Sequence, residues 1–557
     1  MRAEKIIYGK TFTADCDNSI AEGFAIASGK VIAVGTRDQI ERYKTPETKV
    51  ICYDSGLITP GFTEGHAHIS QTVELMAGPV LDGDSIEKCQ KQLADYLRKH
   101  PGDEPVLGSG FDTGLFGPKG PDKKYLDCVC DSRPVMIMDS GHHSIWVNSK
   151  ALDAAHISSD TRDPEKGHIV KDDKTGEPTG FLQEAAVYLM KDTLPHIGVE
   201  EYKRAILKYQ EIALSYGVTN AFEPVLSYWH HEEEICEAYR QLEEEKRLLL
   251  SYRIALTLTP DMDPKTFFDR LDNLHREFSG HQSLQFNTVK FFMDGVVDGH
   301  TAYLREPYER PPYDCGMAVY DQEELDRRVT MALDKGYRAH FHAIGDAAID
   351  MAINSCQAAQ NFVEGDDFRN QITHLQVCHE DQADRMADLG IMAVVNPYWH
   401  YKTELYEPLE FPFLGKERAE HMYYLGSYQR RGIVMSSASD FPVTIPPDTM
   451  DCLHMMVNRF DHKHSKESYF PEECISVEDA LRVLTINGAY QLDIEDHKGS
   501  IEPGKDADFV WLSQDLTSVR PMDIYKTRIL ETDICGKAVY ERNEKKDRGR
   551  DLQASYI

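Results

Sequence analysis

Between a strand-rich beginning and a strand-rich end, the chain carries eight short apolar runs of β type, each followed by a helical pattern. The runs end near His68, Phe222, Leu258, Phe292, His342, Leu375, Val395 and Asp440. Strands alternating with helices are the mark of βα units, in which the strands are parallel and the helices cover the sheet. Eight units predict an α/β fold, a (β/α)8 TIM barrel, with a long interruption from about 75 to 200 between the first and second strands. Inside that interruption residues 134–139 read as a further strand outside the barrel.

The two ends are of another kind. Lys5-Ile6-Ile7-Tyr8, residues 23–27 and residues 30–35 are short strands punctuated by Gly and Asp, and residues 507–512 and 537–540 match them in character. One small β-sandwich domain built from residues 1–57 and 498–557 is expected, with 58–74 as barrel strand 1, 75–200 as insertion and 201–497 as the rest of the barrel.

The bulk composition excludes several classes of function. A formal charge of −32 argues against a nucleic-acid or anionic-membrane surface. The twelve cysteines show no paired metal-site spacing and read as reduced thiols. No secretory leader or membrane-length apolar run is present, so a cytoplasmic protein is expected, with a homodimer left open.

Barrel enzymes collect their chemistry at the C-terminal ends of the strands. Here those ends carry His66 and His68, Lys290, His342, His374 and Asp440. On a strand, residues i and i+2 share a face, so His66 and His68 project together, a pairing suited to a borderline ion such as Zn²⁺. An isolated His-x-His among 23 histidines reads equally well as two polar residues at a strand–loop junction, and it is the recurrence at successive strand ends that favours a metal site.

This set resembles the amidohydrolase superfamily, and within it the YtcJ-like branch that includes N-substituted formamide deformylases. The resemblance rests on Pro60-Gly61-Phe62 followed by His66 and His68, on residues 289–295, on His342-Ala343-Ile344-Gly345-Asp346, on Ser439-Asp440-Phe441-Pro442, and on the tail residues 487–489 and 499–508. It implies that His66, His68 and Asp440 hold one divalent ion and that His342 and His374 hold a second, with Lys290 bridging them as a carbamate. One or two ions per chain, Zn²⁺ first among them, are implied. Burial in a barrel would lower the lysine pKa and expose a neutral amine to CO₂. Asp440 would take a proton from the attacking water and deliver it to the leaving nitrogen.

The expected activity is hydrolysis of a non-peptide carbon–nitrogen bond, most simply in a small linear amide. A cyclic-amide hydrolase or deaminase is the alternative with the same ions, and a non-catalytic metal-binding signalling or scaffold protein is the alternative from another class. His340, two residues before His342, is read as a hydrogen-bonded core histidine one layer deeper. Asp294 and Asp346 are candidates for orienting the ligands from behind, with loop capping as the equal alternative. His143 and Trp146 in the insertion, and Tyr398 and Trp399 beyond the seventh strand, are candidate substrate contacts, each set against plain packing.

Overall fold

The computed structural model describes residues 2–117, 119–141, 143–164, 167–195, 197–225, 232–403 and 405–543. Eight strands form one sheet in chain order: β1 (Phe62–Glu64), β2 (Val218–Val225), β3 (Ser251–Thr257), β4 (Leu284–Phe292), β5 (Arg338–Ala343), β6 (Gln371–His374), β7 (Met392–Val395) and β8 (Met435–Ser437). All neighbouring pairs are parallel. The eight runs read from the sequence correspond to these strands one for one.

Helices follow from apolar residues at helical spacing. The helix Val199–Ser215 buries Tyr202, Ala205, Ile206, Tyr209, Ile212 and Ala213 on one stripe. At its start the Glu201 carboxylate accepts the Gly198 amide at 3.1 Å, and past its end Gly217 takes a left-handed backbone with φ of 79° that turns the chain into β2.

The sheet closes nearly into a barrel through backbone bonds just past the strand ends. Gly65 N donates to Ser437 O at 2.8 Å, Asp440 N to His66 O at 2.9 Å and His68 N to Phe441 O at 2.7 Å. A Cβ on residue 65 would stand 2.7 Å from the Ser437 carbonyl oxygen, so glycine there permits the approach. Closure therefore sets His66, His68 and Asp440 side by side.

Both termini share a second sheet. Its order is Lys537–Glu541, Ile529–Ile534, Phe509–Leu512, Leu57–Pro60, Lys5–Phe12, Ile20–Ala27 and Lys30–Gly35, with Lys49–Cys52 also pairing with Lys5–Phe12. Leu57–Pro60 runs antiparallel to Phe509–Leu512, so it belongs to this sheet and not to the barrel strand expected from residue 58. The chain changes partners at Gly61, where a Cβ would lie 2.2 Å from the Thr219 hydroxyl. In consequence His66 and His68 sit beyond a three-residue β1 instead of on a long strand.

Among the described residues the insertion holds five strands, not the one expected. Their order is Gly167–Lys171, Pro178–Glu184, Ser144–Val147, Val135–Asp139 and Val106–Phe111. One face, with Leu107, Met136, Met138, Ile145 and Val147, joins the apolar core of the barrel. The opposite face packs on the helix Ile86–Lys99 through Val106, Phe111, Val135, Ile137 and Trp146. Among the described residues no helix is long and apolar enough to cross a membrane.

Candidate metal centre and active site

His66 Nε2, His68 Nε2 and Asp440 Oδ1 form a nearly equilateral triangle with edges of 3.2, 3.3 and 3.4 Å. An ion with tetrahedral bonds of about 2.0–2.1 Å separates its ligand atoms by about 3.3–3.4 Å, so the triangle has the size of one face of such a site. Asp440 Oδ1 is buried and, among the described residues, has no well-aligned hydrogen-bond donor, which leaves its lone pairs for a cation. His66, His374 and Asp440 also present ligand atoms within 4.8 Å of one another. These residues fit a divalent ion.

Each ring has a partner on its other nitrogen, which fixes which nitrogen is left to bind. His66 Nδ1 lies 2.8 Å from His340 Nε2, His68 Nδ1 faces the Pro224 carbonyl at 3.2 Å, and His374 Nδ1 faces Asn396 Oδ1 at 3.0 Å. His342 is turned the other way. Its Nε2 lies 3.3 Å from the Gly295 carbonyl and 3.8 Å from Asp294 Oδ1, so Nδ1 is its free ligand atom. The His342 and His374 ring centres are 4.5 Å apart.

Lys290 is 1 % exposed and stands among these groups, with Asp440 as the charge that favours its ammonium form. Burial wins, and the lysine is pushed down to about 7. Burial likewise drives His66 and His342 well below the usual imidazole range and His374 to about 4, keeping the rings neutral as ligands must be. For Asp440 burial alone would raise the carboxyl, but the facing imidazoles of His66, His68 and His374 outweigh it and hold it well below the usual range. Two ligand-bearing residues are strained: His374 and Asp440 have φ of 75° and 55°. Such left-handed residues cost on the order of 1–3 kcal/mol each and persist where the surroundings impose them.

The structure thus brings His66, His68, Lys290, His342, His374 and Asp440 together. Trp399 joins them, stacked on His374 at 5.5 Å between centres, and His143 reaches in from the insertion with its ring 5.6 Å from that of His342. Asp294 lies behind His342 and accepts the amides of Tyr303, Ile344 and Gly345.

Three expected residues have other placements. Asp346 pairs with His379 at 2.9 Å and accepts the Arg305 amide, so it fastens a helix start to a loop and touches no ligand. Trp146 is fully buried in the insertion's own core against Phe111 and Phe116, because its strand turns that parity away from the barrel. Tyr398 packs against the barrel's apolar core next to Cys452, while its neighbour Trp399 faces the site.

Other site residues lacked any sequence signal. Glu64 accepts the amides of His66 at 3.1 Å and Ser439 at 2.9 Å, tying the two ligand loops together, and burial pushes it up to about 7. Asn396, which orients His374, also donates to the Ala438 carbonyl at 3.3 Å. Glu184, at the end of an insertion strand, pairs with His143 at 3.2 Å and accepts the Thr301 hydroxyl at 2.7 Å.

The family model for the amidohydrolase family matches residues 54–540. The chain belongs to the amidohydrolase family. This amidohydrolase is 28% identical over 534 residues to a putative amidohydrolase, YtcJ, of Bacillus subtilis, covering 94% of this chain and 96% of that protein. It is 25% identical over 562 residues to the N-substituted formamide deformylase of Arthrobacter pascens, covering 97% and 99%. Among solved structures, a metal-dependent hydrolase of Pyrococcus horikoshii superposes with a TM-score of 0.73 at 24% identity, covering 93% of this chain and 99% of that one. The amidohydrolase is thus a hydrolase acting on carbon–nitrogen bonds, with its ligand-type residues at the C-terminal face of a TIM-barrel-like sheet.

Proposed function

We propose that this amidohydrolase cleaves a small linear N-substituted amide, with Zn²⁺ held by His66, His68 and Asp440 and a second site at His342 and His374. The observation that carries the reading is the 3.2–3.4 Å triangle that includes an Asp440 oxygen with no well-aligned hydrogen-bond donor among the described residues. Similarity to a formamide deformylase along nearly the whole chain supports a linear amide. Lys290 would complete the site as a carbamate: its neutral amine adds to CO₂ and loses one proton, leaving a single negative charge shared by two oxygens that could serve as ligands. When bound, the metal supplies Lewis acidity for the substrate carbonyl and for water.

The chain's own groups do the rest. Asp440, held ionised, takes a proton as the water oxygen adds to the carbonyl carbon, then gives it to the nitrogen as the carbon–nitrogen bond breaks. His340, Pro224 O and Asn396 keep the ligand rings turned. His143 and Trp399 line the approach to the ions. For the terminal sheet we retain β-sandwich packing, supported by a shared cluster of Ile7, Phe24, Ile58 and Phe509. Twelve free cysteines fit a cytoplasmic location.

The test is turnover of a panel of N-substituted formamides, N-acyl amines and cyclic amides by metal-loaded protein. Linear amides should be hydrolysed. Activity confined to cyclic amides or to ring deamination would overturn the reading.

A further inference from the structure

Gln71 is 6 % exposed, and among the described residues neither its Oε1 nor its Nε2 has a hydrogen-bond partner. A carboxamide carries two donors and an acceptor with two lone pairs, so burying one with nothing bound to it disfavours the fold. Leucine has nearly the same volume and no such cost. A group that weakens the folded state in this way calls for another explanation.

Its position supplies one. Gln71 ends the single turn Ile69–Gln71 that leaves the ligand loop, and its amide donates to the carbonyl of His68 at 3.0 Å. The turn is held at the barrel rim, because Glu223 near the end of β2 accepts the Ser70 amide at 2.7 Å. The next helix, Thr72–Ala77, packs on the insertion strand Val106–Phe111. On that strand Ser109, 1 % exposed, has a hydroxyl that among the described residues is also without a partner. Two buried polar groups without partners therefore lie on the elements that join the barrel mouth to the insertion, one of them three residues from the expected metal ligand His68.

We infer that Gln71 is a substrate-binding residue whose side-chain oxygen accepts the N–H of the scissile amide, so that the enzyme favours secondary over tertiary amides. A carboxamide is the natural complement of an amide, since each presents a donor and an acceptor. The inference rests on the linear-amide reading above and adds to it a substrate class and the residue that selects it. Its energetic logic is that of a site whose polar group stays unpaired until the right ligand arrives: the penalty is carried by the free enzyme and relieved in the complex.

The test compares wild type with Gln71→Leu on N-butylformamide and N-butyl-N-methylformamide, reading kcat/KM, Tm and metal content. Wild type should favour the secondary amide. Gln71→Leu should keep its metal and match or exceed the wild-type Tm, while kcat/KM for the secondary amide falls roughly ten-fold, the worth of one good hydrogen bond, and that for the tertiary amide stays level. Should Gln71→Leu fail to fold, the unbranched Gln71→Met carries the same comparison. An unchanged secondary-to-tertiary ratio in the variant, or a lower Tm with wild-type kinetics, would make the side chain structural. If wild type hydrolyses neither compound, the linear-amide reading fails on its own, and the pair is used as ligands in thermal shift. Stronger stabilisation of wild type by the secondary amide, lost in the variant, would then uphold the role of Gln71, and equal stabilisation would end it.

Discussion

His340 Nε2 lies 2.8 Å from His66 Nδ1, and on its other side His340 Nδ1 lies 2.8 Å from Gln371 Oε1. Because a carboxamide oxygen only accepts, His340 carries its proton on Nδ1 and must accept the Nδ1 proton of His66 at Nε2. Gln491 Nε2 donates to the same Gln371 oxygen at 3.0 Å and fixes which way that amide points. The chain of three leaves the lone pair of His66 Nε2 directed toward Asp440 and His68.

His340→Ala should therefore weaken metal binding without removing a ligand. Loss of a partner behind a ligating histidine typically costs 10–100-fold in affinity, roughly, and competition with a graded chelator reads it directly. A variant that holds metal as tightly as wild type would show that His66 needs no support from behind.

Asp440→Asn separates ligand from proton carrier. The amide oxygen can still face the ion, but it no longer takes a proton from water. Turnover on an amide that wild type hydrolyses should fall by roughly two to four orders of magnitude with most of the metal retained. Equal rates would remove Asp440 from the chemistry.

The eight barrel strands were legible because each is a compact apolar run bounded by a helical pattern, and a strand of that kind needs no long-range information to be seen. Four strands of the insertion were not: Val106–Phe111 contains two glycines, Ser144–Val147 is only four residues long, and Gly167–Lys171 and Pro178–Glu184 mix charge into short segments stabilised by their neighbours. The grouping of His66, His68, Lys290, His342, His374 and Asp440 followed from recurrence at strand ends, which topology converts into proximity. Direction was harder. His340 was placed on the correct face, but that its ring meets His66 depends on barrel closure, and Trp146 and Asp346 turn away from the site through strand parity and a helix start that only the packed structure displays. Glu64 and Asn396 act through single hydrogen bonds between loops, for which residue type and spacing carry no signal.

Lys290 titrates at about 7 in its buried position. Its amine is neutral above that pH and protonated below, and only the neutral form can add to CO₂. Loading of metal-free protein in the presence of bicarbonate should thus be slow at pH 6 and rise through pH 7. Lys290→Ala should lose metal and activity together, with no rescue by bicarbonate. A loading rate indifferent to both bicarbonate and pH, or near-normal turnover by the alanine variant, would make the lysine structural.

His143 and Glu184 form a charged pair that the insertion extends toward the ligands, at 3.2 Å from ring nitrogen to carboxylate. Burial alone would lower the imidazolium, but the Glu184 charge and hydrogen bond outweigh it and push His143 up to about 9. The ring is thus a standing cation and donor across neutral pH, 5.6 Å from His342 between centres, and we propose that it holds a substrate oxygen. If that proton is needed, kcat/KM should decline above about pH 9. Glu184→Gln removes the charge and leaves burial dominant, so the descending limb should move down by roughly two pH units or more while metal content stays level. Stability carries the same sign. A histidine raised above its ordinary 6.5 stabilises the fold fully below that value and loses the contribution as pH rises through about 9, so Glu184→Gln should cost more Tm at pH 6 than at pH 10. A wild-type pH profile in the variant, alongside an unchanged KM in His143→Ala, would confine the pair to fastening the insertion onto Thr301 and leave Trp399 as the wall that substrate meets.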